Sequence, residues 1–318
     1  MSAESIDTVA VLGLGTMGHG ISQSFAAAGF QVRCYDQSDQ ARETLSDRVR
    51  ANLLEMAEAG VGTRASVDPT LARISVVSSI AEAVGPAQFV TEAVAEDLAI
   101  KQNMFVQLES HVAATTILAS NSSSFPISQT GEKMRQPERA IVTHWFNPPH
   151  IVPVVEVVPG ARTADETCRE TLQLLQQIGK TPVHLRQEIP GFLVNRVQIA
   201  MYREIWDLLS RGIAEPEEID LAIRGSMGFR LAAIGPLQVN DFAGLDVTGR
   251  VYENLVTEIS SDTTLPTVIR QLVEEGRFGV KTGQGVFEYT PQIIEEKQSQ
   301  RDRRYLALIK ILDRTETS

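Results

Sequence analysis

A chain of 318 residues, 43% apolar and 22% charged, has the mass for one large domain or two ordinary ones with full cores. Its net charge of −11 and isoelectric point near 5.0 argue against a nucleic-acid partner, which usually needs a basic face. No apolar run reaches the length of a membrane span. The opening MSAESIDTVAVLGLG lacks the basic start and long apolar core of a signal peptide. Cys34 and Cys168 form neither a metal spacing nor a disulfide framework, so the expected compartment is a reducing cytoplasm.

Taken in chain order, β-rich runs at 8–12, 31–35, 74–77, 89–94, 116–119, 140–143, 154–158 and 183–185 read as strands. Helical patterns at 18–28, 41–58, 98–112 and 165–178 lie between several of them. That alternation predicts an α/β fold, a Rossmann-type doubly wound sheet with helices on both faces. The pattern changes near 187–191, which sets expected domains of 1–188 and 189–318. Residues 191–276 are almost all helix-compatible, broken at Gly212, Pro216, Gly235, Pro236 and Pro266, and predict an all-helical second domain. A long apolar helix at 247–259 within it leads us to expect a homodimer. The tail at 291–318 carries Tyr305, Leu308, Ile309 and Leu312 at helical spacing.

The run VAVLGLGTMGHG places Gly13, Gly15 and Gly18 as G-x-G-x-x-G, with Thr16 and Met17 inside the loop, after one strand and before a helix. Glycine allows the tight turn, the close approach of a pyrophosphate and helix–strand packing, while the helix N-terminus supplies N–H donors. Asp36 ends the second strand, 23 residues past Gly13, where a carboxylate meets ribose hydroxyls and repels a 2′-phosphate. The expected cofactor is NAD. His19 beside the loop reads as a bystander at the helix start.

The segment THWFNPPHIVPVVEVV raises a second question, because a strand seldom buries an unpaired carboxylate. His144 closes one predicted strand and Glu156 lies in the next. If the two are neighbours, Glu156 meets the imidazole, orients it and stabilises its protonated form. Two readings stay open on spacing alone: a general base with its partner, or a buried structural pair.

The stretches VLGLGTMGHGI, TEAVAEDLAIKQNMF, ASNSSSFPI, HWFNP, PVVEVV, IPGFLVNRV, IGPLQVNDFAGLD and GVKTGQGVFEY occur in one order over residues 5–290. In this the chain resembles the 3-hydroxyacyl-CoA dehydrogenase superfamily. The resemblance implies that His144 is the base and Glu156 its partner. It implies that Ser123 and Asn195 hold the reacting oxygen and the substrate, with Ser123 also beside the cofactor. It further implies that Glu96, Lys101, Asn147 and Lys281 lie around the cofactor, with no metal required.

One departure bears on the substrate. CoA-using members carry a basic helical arm after the second strand, whereas 37–100 here has no lysine and five arginines against ten acids. The HWFNPPHIVP form, the RGIAEPEEID segment and the tail beyond Tyr289 are similar to a CoA-independent branch. Within GSMGFRLAAIGP, Arg230 is the candidate partner of a substrate carboxylate, with His150 as a second contact. The expectation is therefore an NAD-dependent oxidation of a hydroxyl, or of an aldehyde hydrate, on a small CoA-free carboxylate. The alternatives are an L-3-hydroxyacyl-CoA dehydrogenase and, in another class, a non-catalytic NAD-binding or redox-sensing protein.

Overall fold

The computed structural model describes residues 6–315. Residues 1–5 and 316–318, the latter ending the predicted tail, lie outside the described residues. The chain divides into two compact units, one ending at Asn195 and the other beginning at Arg196.

The first unit is organised by an eight-stranded sheet in the order β3-β2-β1-β4-β5-β6-β7-β8. The strands are β1 (Thr8–Leu12), β2 (Gln31–Tyr35), β3 (Ile74–Val76), β4 (Phe89–Glu92), β5 (Ile117–Ser120), β6 (Ala140–Trp145), β7 (Val154–Pro159) and β8 (Thr181–His184). The first six are parallel, and 3-2-1-4-5-6 is the order of a dinucleotide-binding doubly wound sheet. β7 then reverses against β6, and β8 runs parallel to β7.

Alternation along the strands feeds two cores. Val9 and Val11 of β1 pack into one, with Ile21 and Phe25 of α1 (Gly18–Ala27) and Leu45, Val49 and Leu53 of α2 (Leu45–Glu58). Ala10 and Leu12 point the other way, into a core with Phe105 and Leu108 of α3 (Leu98–Glu109). Leu174 and Leu175 of α4 (Asp165–Gln177) return to the first core. Apolar on both faces, β1, β4, β5 and β6 are buried along almost their whole length. β6 runs to Trp145, past its predicted end, so His144 sits inside the strand rather than closing it.

Helix α5 (Val194–Ser210) leads out of the first unit. The second unit adds α6 (Pro216–Ile223), a π-helical turn at Arg224–Gly228, α7 (Pro236–Ala243), α8 (Leu245–Leu255), α9 (Thr267–Glu274) and α10 (Pro291–Thr315). Pro216 and Pro236 open their helices, where a missing N–H leaves no hydrogen bond unmade. Between α9 and α10 the chain makes only the isolated bridges Gly279–Gln284 and Gln284–Glu288. Among the described residues of this unit, Leu306 is the only buried apolar side chain.

Candidate active site

At the end of β1 the backbone turns at Gly13, whose φ is 90° and whose N–H donates to Tyr35 O at 2.8 Å. A Cβ on Gly13 would lie 2.6 Å from Ala93 O, and one on Gly18 1.7 Å from Gly13 O. A Cβ on Gly15 would meet no protein atom within 4 Å. Packing therefore demands glycine at 13 and 18 but not at 15, and the bare, exposed backbone of Gly15 fits the close approach of a pyrophosphate. Met17 caps α1 without a side-chain hydrogen bond, and the first turn holds no acid, so its N–H donors suit an anion. Asp36 is fixed beside the loop by Leu14 N–H on Oδ2 at 2.6 Å and Ser38 N–H on Oδ1 at 2.8 Å. Each oxygen retains capacity to accept from a ribose hydroxyl.

In the sheet register His144 faces Glu156 directly across β6 and β7. Nδ1 of His144 lies 2.7 Å from Glu156 Oε2, and both residues are buried. The other carboxylate oxygen accepts the N–H groups of Leu193 and Val194 at 3.0 and 2.9 Å. Those donors exist because Gly191 and Phe192 both take positive φ, 75° and 52°, and turn the chain into the start of α5. Phe146 and Phe192 flank the imidazole, with ring centroids 4.6 and 5.4 Å away. With Nδ1 committed as donor to the carboxylate, Nε2 is the nitrogen left to accept a proton.

A third cluster closes the C-terminal edge of the sheet. Oε1 of Glu96 accepts from Ser122 Oγ (2.7 Å), Ser123 N–H (2.9 Å), Ser124 N–H (3.0 Å) and Ser124 Oγ (2.8 Å). Burial alone would raise the pKa of Glu96. The hydroxyls of Ser122 and Ser124, the charge of Lys101 and the Ser123 N–H outweigh it and hold the carboxyl below its usual range. Lys101 Nζ is 3.3 Å from Glu96 Oε2 and 2.9 and 3.0 Å from the two oxygens of Glu92. Asn195 Nδ2 donates to Ser123 O at 3.1 Å, which ties the start of α5 to the serine loop.

The 3-hydroxyacyl-CoA dehydrogenase NAD-binding domain matches residues 8–189, and the C-terminal domain of the same enzymes matches 191–289. The chain belongs to the 3-hydroxyacyl-CoA dehydrogenase family. It is an NAD-dependent oxidoreductase of that family. It is 34% identical to 5-formyl-3-hydroxy-2-methylpyridine 4-carboxylate 5-dehydrogenase of Mesorhizobium japonicum, over 97% of this chain and 99% of that protein. It is 37% identical to a protein of Bacillus subtilis named probable 3-hydroxybutyryl-CoA dehydrogenase, over 92% of this chain and 99% of that one. Among solved structures it resembles a 5-formyl-3-hydroxy-2-methylpyridine 4-carboxylic acid 5-dehydrogenase described as an NAD+-dependent dismutase. The TM-score is 0.91 at 33% identity, covering 97% of this chain and 99% of that one.

Of the remaining predicted residues of this family member, Asn147 is exposed just past β6. His150 packs on α1, where a Cβ at Gly20 would lie 2.9 Å from its Nδ1, and its ring is 6.1 Å from that of His19. His19 Nδ1 is itself 2.9 Å from Gly15 O. Lys281 and Arg230 belong to the second unit and are exposed, the guanidinium of Arg230 donating to Ser226 O at 3.3 Å. No sequence motif gives a role to Glu92, Arg48 or Lys180. Arg48 donates to Ala41 O at 2.9 Å and reaches Gly15 O at 3.4 Å, beside Asp36. Lys180 donates to Pro149 O (2.7 Å) and Val152 O (2.9 Å) and stands 5.4 Å from the Trp145 ring centroid. Burial brings its pKa down to about 8.

A carboxylate at the position of Asp36 disfavours a 2′-phosphate beside it. Arg42 and Arg48 lie near it, but Arg42 is engaged with Asp36 O and Asp39, and Arg48 with backbone carbonyls. The expected result is binding of NAD at least about tenfold tighter than NADP, or roughly 1.4 kcal/mol. Equal dissociation constants in a calorimetric titration would show that the arginines, and not Asp36, set the choice.

Proposed function

We propose that this dehydrogenase oxidises a hydroxyl, or an aldehyde hydrate, of a small CoA-free carboxylate with His144 as general base. The observation that carries the reading is the His144–Glu156 pair, whose geometry leaves one imidazole nitrogen to receive a proton. The bound nicotinamide supplies the hydride acceptor. Nε2 of His144 takes the proton of the substrate hydroxyl, and Glu156, held by two backbone N–H groups, stabilises the imidazolium. Ser123 and Asn195 hold the reacting oxygen. Glu96 and Asn147 are assigned to the cofactor's surroundings, whereas Lys101, whose side chain is wholly enclosed by protein, acts there through Glu96 rather than by touching the cofactor.

Three observations favour a free acid over a thioester. The five arginines of the arm are all engaged locally: Arg42 and Arg48 as above, Arg50 with Asp68, Arg64 with Glu58 and Arg73 with Pro69 O. None is a ready partner for the phosphates of coenzyme A. The tail helix α10 lies beyond the matched family domains, yet the pyridine-carboxylate relative spans 97% of this chain. The third is the π-helical turn that ends two residues before Arg230, since such turns insert a residue and recur at functional sites. We assign Arg230 to the substrate carboxylate. A second reading, oxidation of a 3-hydroxyacyl-CoA, is favoured by the 37% identity to the Bacillus subtilis protein.

The test is a screen of small hydroxy acids and aldehyde acids with NAD, including 5-formyl-3-hydroxy-2-methylpyridine-4-carboxylate, followed by absorbance of the reduced cofactor. Arg230→Met is expected to raise KM for the acid about ten- to a hundredfold, the worth of one charge-assisted hydrogen bond, with NAD affinity unchanged. Efficient oxidation of 3-hydroxybutyryl-CoA with no activity on any free acid would establish the second reading instead.

We also infer a homodimer formed through the second unit. Phe229, Leu237 and Phe242 are 76%, 79% and 79% exposed, and helices α5 to α9 bury none of their side chains. So much apolar surface needs a cover, and a second copy offers the same surface in return. Light scattering after size exclusion should give twice the chain mass of 34.8 kDa. A monomer at micromolar concentration would refute the inference.

A further inference from the structure

Glu92 is a fully buried carboxylate to which neither the sequence motifs nor the proposed chemistry gives a task. It ends β4, with Leu12 of β1 as its register partner on one side and Ser120 of β5 on the other. Its oxygens receive Lys101 Nζ at 2.9 and 3.0 Å, the Ser120 hydroxyl, and Val94 N–H at 3.2 Å. Lys101 is equally buried, and its side chain has no exposed surface. It is therefore enclosed by protein, and its one contact toward the loops is Glu96 Oε2 at 3.3 Å. Glu96 in turn gathers the N–H groups of Ser123 and Ser124, and Ser123 O receives Asn195. Apolar residues of similar volume often replace a buried ion pair without loss of stability, so burial alone does not account for the charges.

We propose that Glu92 is a positioning residue for the reaction: it fixes Lys101, Lys101 fixes Glu96, and Glu96 fixes the backbone that carries Ser123 and receives Asn195. Glu92 touches neither substrate nor cofactor in this role. The inference rests on the reading of Ser123 and Asn195 as substrate-holding residues. Its test is made without substrate, so the two can fail separately. Absence of turnover on every acid would remove that reading and leave the loop measurement intact.

The measurement is amide hydrogen exchange on the full-length chain, followed at Ser123 and Ser124, with Ile141 and Val157 of the central sheet as internal reference. In Glu92→Gln, Lys101 loses its charged anchor, and exchange at Ser123 and Ser124 should rise at least about tenfold while the reference amides change much less. The double variant Glu92→Leu, Lys101→Met removes both charges and keeps the volume. It should recover part of the Tm lost in Glu92→Gln, since the Ser120 hydroxyl and Val94 N–H still lack their acceptor, yet exchange at Ser123 and Ser124 should remain fast, because Glu96 has lost its tether. If Glu92→Gln does not fold, the double variant alone decides. Unchanged loop exchange in Glu92→Gln, or slow loop exchange restored together with Tm in the double variant, would reduce the pair to a structural filler and overturn the proposal.

Discussion

Replacing His144 by alanine should lower turnover by about a hundred- to ten-thousandfold, the range a positioned general base contributes. NAD affinity should hardly change, because the imidazole is committed to Glu156 on one nitrogen and, in the proposed mechanism, meets the substrate and not NAD on the other. Glu156→Gln should come close to the same loss by a different route. The glutamine oxygen can still accept from Leu193 and Val194, which leaves its amide nitrogen facing Nδ1. That nitrogen donates, so the imidazole must carry its proton on Nε2, the wrong tautomer for a base. Turnover and NAD titration of both variants check this together. Near-normal turnover of His144→Ala on the true substrate would remove the base assignment. A Glu156→Gln variant as active as the parent would show that the carboxylate only closes the turn into α5.

The difference between what could be read in the sequence and what could not lies in how far each contact reaches. Glu156 was legible because two short strands and a proline turn leave few registers, and one of them puts it opposite His144. The glycine loop was legible because its geometry is local to one strand–turn–helix unit. Glu92 obeys the same logic as Glu156, an acid in an apolar strand, with Lys101 on the following helix as the available cation. Counting it among the acids of the arm treated it as surface, although FVTE is buried throughout. Arg48 escaped because its approach to Gly15 and Asp36 depends on how α2 packs over the loop, 33 residues from Gly15 in the chain. Lys180 gave no signal at all. It follows Gly179 after a helix, a place where a solvated lysine is ordinary, and its cover comes from the fold of the 146–153 loop and the Trp145 ring.

Lys180 sets the other large expectation, a dependence of stability on pH. Burial lowers its pKa from 10.5 to about 8, so between those values the unfolded chain holds the proton and the folded chain does not. Stability must therefore rise with pH across that window, and below it the charged form weakens the fold by about 3 kcal/mol relative to the neutral one. The neutral amine keeps two N–H groups for the two carbonyls it serves, Pro149 O and Val152 O. Deprotonation thus keeps both hydrogen bonds but gives up their charge assistance and the attraction to the Trp145 ring, losses that the relief of burying a charge outweighs. Other lysines and tyrosines titrate in the same range, and comparison with Lys180→Met removes them. Urea unfolding of both proteins between pH 7 and 10.5 should give a stability difference that moves in favour of the parent as pH rises. A difference that stays flat over the window would mean that the ammonium is solvated. In that case the loop joining His144 to Glu156 does not cover it in solution.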